Sequence, residues 1–300
     1  MNDSMQVRET VVTVGALQLP VREAGPVAGI PVLLLHGFPD CHYSYDEQLR
    51  ALAAAGYRAI APALRGYATS AIADDGDYFL TTLAADVIAL LDALALPRVH
   101  LVGHDWGAVI GWIAIAEQPA RFITFTSLAI PPMGGMMKAM RRYPSQLRKS
   151  WYMFFFQLRG IADRTLARDD FAFIERLWRD WSPGWAWPPA SMEQVKAAFR
   201  QPGVPRAALG YYRHMFKWSA HQNKRGRELA SRKITVPVLV LHGRTDGCMD
   251  ARLVAVAVMP GQFAAGIRVE VVDGAGHFLH QEQPGRVNEL LLDFLDGHTA

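Results

Sequence analysis

The 300-residue chain has only two cysteines, Cys41 and Cys248. Two thiols allow one disulfide at most, and neither sits in a disulfide framework or a thiolate metal motif. Charge of one sign is also scarce: 31 Lys and Arg against 28 Asp and Glu leave +3, a balance that argues against a nucleic-acid partner. Long apolar runs are missing. The longest uncharged stretch, Phe122 to Met137, is broken by Pro131, Pro132, Gly134 and Gly135, so no integral membrane span is expected. The first ten residues carry acids and no apolar core, so no secretory signal is expected either. What is present is 51% hydrophobic and 20% charged, which fits a folded chain and not a disordered one. The expectation is a cytoplasmic protein with one large domain, or one domain with an insertion.

From Pro31 onward, short apolar runs alternate with helical periodicity. Pro31–Leu35, Ala59–Ala61, Val99–Val102 and Phe122–Leu128 read as buried strands, too short for helices. Among them, Leu83, Val87, Leu90, Leu91 and Leu94 recur at one helical face. The same grammar resumes with a strand at Val236–Leu241, a helix at Ala251–Met259 and a strand at Ile267–Val272. Val287, Leu290, Leu291, Phe294 and Leu295 then mark a last helix. This order predicts an α/β fold, a mostly parallel sheet covered by helices on both faces.

Residues 131–230 follow another pattern. They hold 17 of the 31 aromatics and seven of the eleven methionines, and are entered through Pro131-Pro132-Met133-Gly134-Gly135. The block reads as an inserted helical cap. The domain division is therefore core at 1–130, cap at 131–230 and core again at 231–300. The cap carries 18 basic and 7 acidic residues, or +11, and the rest of the chain −8. Solvated helix faces, a homodimer contact and attraction for anionic surfaces are all open readings of that basic cap.

Val99–Val102 runs into Gly103-His104-Asp105-Trp106-Gly107 and then a helical AVIGWIAIA. Strand, tight glycine-flanked turn and helix make the context of a nucleophile elbow, with Asp where Ser is usual. A carboxylate there is favoured by the following helix's N-terminus. Such an Asp can attack a saturated carbon and form an ester, which water must then hydrolyse. That second step needs a base and an oxyanion hole. Asp246 and His277 each follow a predicted strand, in the order nucleophile, acid, histidine. His277 would activate water while Asp246 holds its tautomer. The backbone N–H groups of Phe38 and Trp106 are the candidate oxyanion donors.

The remaining histidines carry less. His36, His104 and His242 read as turn residues with satisfied hydrogen bonds. His100 and His104 have metal-pair spacing, but on a strand four residues span roughly 13 Å. His277 and His280 lack a third ligand nearby in sequence, so no metal site is expected.

In this order, His36-Gly37-Phe38-Pro39, Arg65-Gly66-Tyr67, Gly103–Gly107 and Gly274-Ala275-Gly276-His277-Phe278 resemble the α/β-hydrolase fold over nearly the whole chain. The Asp at the elbow narrows the resemblance to epoxide hydrolases and haloalkane dehalogenases. Ser150–Gln157 looks like the first lid-tyrosine segment of epoxide hydrolases, with Tyr152 at the matching position. Leu209–Met215 looks like the second, where Tyr212 matches and Tyr211 competes. The resemblance implies a cofactor-independent epoxide hydrolase in which Asp105 opens the ring and the two phenols donate to its oxygen. Trp106, Phe38, Trp151, Phe156 and Phe278 are the expected aromatic contacts of a small apolar or aryl epoxide. A haloalkane dehalogenase is the alternative enzyme, and a non-catalytic small-molecule receptor the alternative of another class. The chain departs from the pattern at Ala63, Ala68 and Arg159, which bear on substrate preference. No arginine follows the nucleophile in Trp106–Trp112, so haloacids are poor candidates.

Overall fold

In the strand Pro31–Leu35, Leu33 and Leu35 join one apolar core while Val32 and Leu34 join another. Successive side chains of a strand point to opposite faces, so a strand this apolar needs cover on both sides. The rest of the chain supplies that cover. The computed structural model describes residues 6–298.

The first part of the chain forms β1 (Arg8–Val14), β2 (Leu17–Ala24), β3 (Pro31–Leu35), α1 (Asp46–Ala54), β4 (Arg58–Pro62), α2 (Leu80–Ala93), β5 (Val99–His104), α3 (Trp106–Glu117) and β6 (Phe122–Leu128). Seven helices follow: α4 (Met136–Arg142), α5 (Gln146–Lys149), α6 (Trp151–Phe155), α7 (Ile161–Trp181), α8 (Pro189–Arg200), α9 (Val204–Met215) and α10 (His221–Ala230). The chain ends with β7 (Val238–Gly243), α11 (Arg252–Ala257), β8 (Ile267–Val272), α12 (Leu279–Glu282) and α13 (Pro284–Asp296).

The eight strands form one sheet in the order β1-β2-β4-β3-β5-β6-β7-β8. β1, β2 and β4 pair antiparallel, and every pairing from β4 onward is parallel. Leu83, Val87 and Leu91 of α2 and Ile110 and Ile113 of α3 cover one face. Leu49 and Leu52 of α1, with Val287, Leu290 and Leu291 of α13, cover the other. Among the described residues, no helix is long and apolar enough to cross a membrane.

Three elements differ from the sequence expectation. The β1–β2 hairpin lies ahead of Pro31, where no element was expected; β1 is largely exposed and shows no apolar run. β7 starts at Val238, not Val236, because Pro237 has no N–H for the ladder, and it continues through Gly243. α11 is shorter than Ala251–Met259, with Pro260 close behind its end.

Within residues 131–230, α7, α8 and α9 pack on one another, while α4 packs on α11 and α10 on α2 and α3. The helical stretch is thereby anchored to core helices at both its ends. Cys41 and Cys248 are both buried and unpaired.

One contact sets how closely α3 approaches the sheet. A Cβ on Gly107 would lie 2.0 Å from the Leu35 carbonyl oxygen of β3. Neither backbone can retreat without breaking ladder or helix bonds. Gly107→Ala should therefore cost about 3 kcal/mol, measured by urea denaturation; a midpoint equal to the parent's would show that α3 can shift freely.

Candidate active site

β5 delivers the chain to the carboxyl edge of the sheet, and α3 leaves from it one residue later. Asp105 is that residue, at φ 48° and ψ −117°. The conformation is rare for a side chain with a Cβ and costs roughly 1–3 kcal/mol. It aims the carboxylate across the edge toward the loop after β3. There the Phe38 N–H donates to Asp105 Oδ1 at 2.8 Å. Gly37 allows this approach, since a Cβ on it would come within 2.4 Å of the Asp105 Cβ. Trp106 opens α3, so its own N–H is among those free at the helix start.

The loops after β7 and β8 bring in Asp246 and His277. His277 Nδ1 lies 2.9 Å from Asp246 Oδ2, and its Nε2 lies 3.6 Å from Asp105 Oδ2. Asp246 Oδ1 accepts the N–H groups of Cys248 at 2.7 Å and Met249 at 2.8 Å, which locks the carboxylate. All three side chains are buried. Burial opposes an imidazolium, but the Asp246 and Asp105 carboxylates outweigh it, and His277 is raised to about 10.

Over this triad lies the inserted stretch. Tyr152 of α6 and Tyr212 of α9 line, together with Asp105 and Trp106, a cavity of about 320 Å³. The two phenol rings meet edge to face at 5.7 Å. The Tyr152 hydroxyl lies 3.3 Å from Cys248 Sγ, and that of Tyr212 has no partner of good hydrogen-bond geometry among the described residues. Burial first, and the Asp105 carboxylate among the other causes, holds both phenols well above their ordinary pKa. Tyr211, the adjacent competitor, is committed elsewhere: its hydroxyl donates to the Arg65 carbonyl at 2.7 Å and its ring stacks on Tyr78.

Of the five aromatics expected around the substrate, only Trp106 lines the cavity. Phe38 and Phe156 are fully buried against each other and against Tyr212, behind the wall. Phe278 stacks on Trp185 and packs against Trp178, on the far side of His277. Trp151 turns outward, with the Arg176 guanidinium over its ring. The apolar wall comes instead from seven methionines, among them Met133, Met153 and Met249. Met fills irregular apolar space because its unbranched chain adapts, and nothing in local sequence distinguishes a lining Met from a core one.

The sequence reading missed the residues that tie cap to triad. The Trp181 carbonyl accepts from Gly247 at 2.9 Å and from His277 N–H at 3.1 Å. Ser182 Oγ also accepts from His277 N–H and donates to Glu282 at 2.6 Å. Trp178 Nε1 donates to the Pro39 carbonyl at 2.8 Å. The end of α7 thus holds both the histidine loop and the loop bearing Phe38. A tryptophan-rich segment gave the only hint, and its bonds run to backbone groups that no motif records.

The histidines flanking the triad are not all satisfied turn residues. His36 uses both ring nitrogens, on the Gly37 carbonyl and the Leu64 N–H. His104 and His242 lie on β5 and β7, and each leaves Nδ1 without a hydrogen-bond partner among the described residues. His104 and His280 each come within 4.0 Å of Asp40 Oδ2, a buried trio that residue spacing could not show. Its donor atoms lie close enough to share one ion, as do those of Asp246, Cys248 and His277, which the triad already uses. Burial lifts Asp40 to about 8 and drops His280 to about 3, and His104 also lies well below its ordinary value. At neutral pH the trio is therefore a protonated acid beside two neutral imidazoles.

Comparison with known proteins places the chain in a family. Residues 30–284 match the profile of the α/β hydrolase fold family. Epoxide hydrolase A of Mycobacterium tuberculosis is 31% identical over 96% of this chain and 97% of its own. Human epoxide hydrolase 4 is 31% identical over 89% of this chain and 73% of its own. The crystal structure of epoxide hydrolase A from Mycobacterium thermoresistibile superposes with a TM-score of 0.81 at 29% identity, over 97% of this chain and 99% of that one.

The Asp40 proton has a measurable consequence. The folded chain holds it between about pH 4 and 8, where an unfolded carboxyl has lost it. Its contribution to stability is present below pH 4 and lost as pH rises through about 8. Asp40→Asn should remove this loss, so its urea midpoint should fall less than the parent's from pH 5 to pH 8. Parallel pH curves for the two proteins would contradict a buried, protonated Asp40.

Proposed function

The chain belongs to the α/β-hydrolase fold family, among the epoxide hydrolases, and on that premise we propose that it converts apolar epoxides to vicinal diols through an ester of Asp105. One arrangement carries the reading: a carboxylate faces two buried phenols across an apolar cavity, with a paired imidazole directly behind it. Asp105 Oδ1 is held by the Phe38 N–H, so Oδ2 is the attacking oxygen. As the Oδ2–carbon bond forms, the ring's carbon–oxygen bond breaks and the oxygen takes a proton from Tyr152 or Tyr212. Burial keeps both phenols protonated until that moment.

Ester formation also switches the base on. In the free enzyme two carboxylates hold the proton on His277. Esterified Asp105 has lost its charge, so the imidazolium keeps only Asp246 as partner and releases its proton more readily. The phenolate left by ring opening must regain one proton, and the imidazolium must lose one, so the two changes balance. Neutral His277 then takes a proton from water, which attacks the ester carbonyl carbon. The Phe38 and Trp106 N–H groups receive the oxyanion on Oδ1. Asp246 steadies the imidazolium that results; as the carbonyl carbon–Oδ2 bond breaks, His277 gives its proton to Oδ2, so the diol leaves and Asp105 keeps the solvent oxygen.

Tyr152 and Tyr212 suit an oxirane because its oxygen departs as an alkoxide and needs a proton. Halide departure does not, which is why these two phenols favour the epoxide over the haloalkane reading. The cavity wall has almost no polar surface, so an uncharged apolar epoxide is the substrate class it accepts.

His277→Gln should form the ester and fail to hydrolyse it, so intact-protein mass after mixing with styrene oxide should rise by one substrate mass. An unchanged mass would sink the covalent route. Tyr152→Phe/Tyr212→Phe should lose at least roughly 100-fold in turnover, and more than either single variant. Full activity in the double variant would remove the phenols as oxygen donors.

A further inference from the structure

The cavity does not end at a polar surface. Four of its lining residues are large apolar side chains that stand in solvent: Met137 is 61% exposed, Leu147 50%, Phe154 54% and Trp218 61%. They come from three separate places in the chain, α4, the α5–α6 segment and the turn after α9, and together form an apolar rim. Phe154, Phe216 and Trp218 join along the rim as a chain of ring contacts, at 5.4 and 5.8 Å. An exposed apolar patch around a site mouth marks an interaction surface.

The charge around the rim has one sign. Residues 131–162 and 203–227, which supply the cap side of the cavity, contain twelve Lys and Arg and no Asp or Glu. Three of the four rim residues have an exposed cation as chain neighbour: Lys138 beside Met137, Arg148 beside Leu147 and Lys217 beside Trp218. Arg213 and Arg225 are spent on Asp163 and Glu117. Lys138, Arg141, Arg148 and Lys217 have no carboxylate partner among the described residues.

We infer that this rim docks on an anionic lipid bilayer and opens the active-site cavity to the acyl region. Apolar residues ringed by long cationic side chains are the composition of an interfacial surface: the first enter the headgroup boundary and the second meet its phosphates. Trp218 is of the residue type that concentrates at that boundary. A second copy of the chain fits poorly, because a two-fold contact through the rim would set cations against cations. Docking depends only on the rim. That the bilayer delivers the substrate rests on the epoxide reading above, and under it the substrate class becomes a lipid-borne epoxide, drawn from a leaflet and not from water.

The test is co-sedimentation of the full chain with sucrose-loaded vesicles, of phosphatidylcholine alone or with phosphatidylglycerol. Partitioning should be at least roughly 10-fold higher on the anionic vesicles and should vanish at about 0.5 M NaCl. Lys138→Glu/Arg141→Glu/Arg148→Glu should lose that excess while melting temperature and turnover of dissolved styrene oxide stay at the parent's values. Phe154→Ser/Trp218→Ser should weaken binding to the same vesicles. Equal partitioning on both vesicle types, or unchanged binding by the charge-reversed variant, overturns the inference. So does a concentration-dependent dimer in sedimentation velocity that Phe154→Ser/Trp218→Ser abolishes, since the rim would then be a self-contact. Vesicle binding by a protein that turns over no epoxide would keep the docking surface and overturn the proposed reaction instead.

Discussion

Two carboxylates within 3.6 Å of one imidazole, all three buried, cannot hold together by their mutual attraction alone. Removing such charges from water costs more than an ion pair returns unless further donors complete the shell. Here the donors are backbone N–H groups: Phe38 on Asp105, Cys248 and Met249 on Asp246, and the carbonyl of Trp181 receives the N–H of His277. Backbone groups can be aimed this way only where four loops meet at one sheet edge. The parallel order of β3, β5, β7 and β8 makes that meeting possible.

The cap follows from the same constraint. A triad left open to water would lose the field that raises His277 and the burial that keeps the phenols protonated. α7 closes the site from above, and its last turn is bonded into the histidine loop. The aromatics divide in two: Tyr152, Phe154, Tyr212, Phe216 and Trp218 line the cavity, while Phe38, Phe156, Trp178, Trp181 and Phe278 pack together as a plug beside the triad. Flexible methionines make up much of the remaining cavity wall, which lets its shape adapt. The uneven charge of the chain falls into place with this division, since the cations gather on the segments that form the mouth.

Local patterns made part of this legible in advance. Leu33 and Leu35 against Val32 and Leu34, and the helical stripe through Leu83, Val87 and Leu90, carry their layer assignment in their spacing. Asp105, Asp246 and His277 could be singled out because each follows a strand and a turn. The β1–β2 hairpin escaped because its outer strand is exposed. Phe38, Phe156 and Phe278 lie off the cavity wall, because hydrophobic character says that a ring is buried and not on which side of a wall. The choice between Tyr211 and Tyr212 was beyond sequence: neighbours on one helix point 100° apart, and only the position of α9 over Arg65 and Asp105 separates them.

The sequence by itself determined the layers, the order of Asp105, Asp246 and His277 along the chain and the turn that carries Asp105, because periodicity and turn chemistry act over a few residues. It also held, unread in the total of +3, the concentration of basic charge in one block. Tertiary structure alone decided which groups meet. Asp40 finds His104 and His280, Cys248 finds Tyr152, and Ser182 finds His277 across separations of 64 to 240 residues. Such encounters depend on how helices and loops settle at one edge of the sheet, and no short-range rule encodes that.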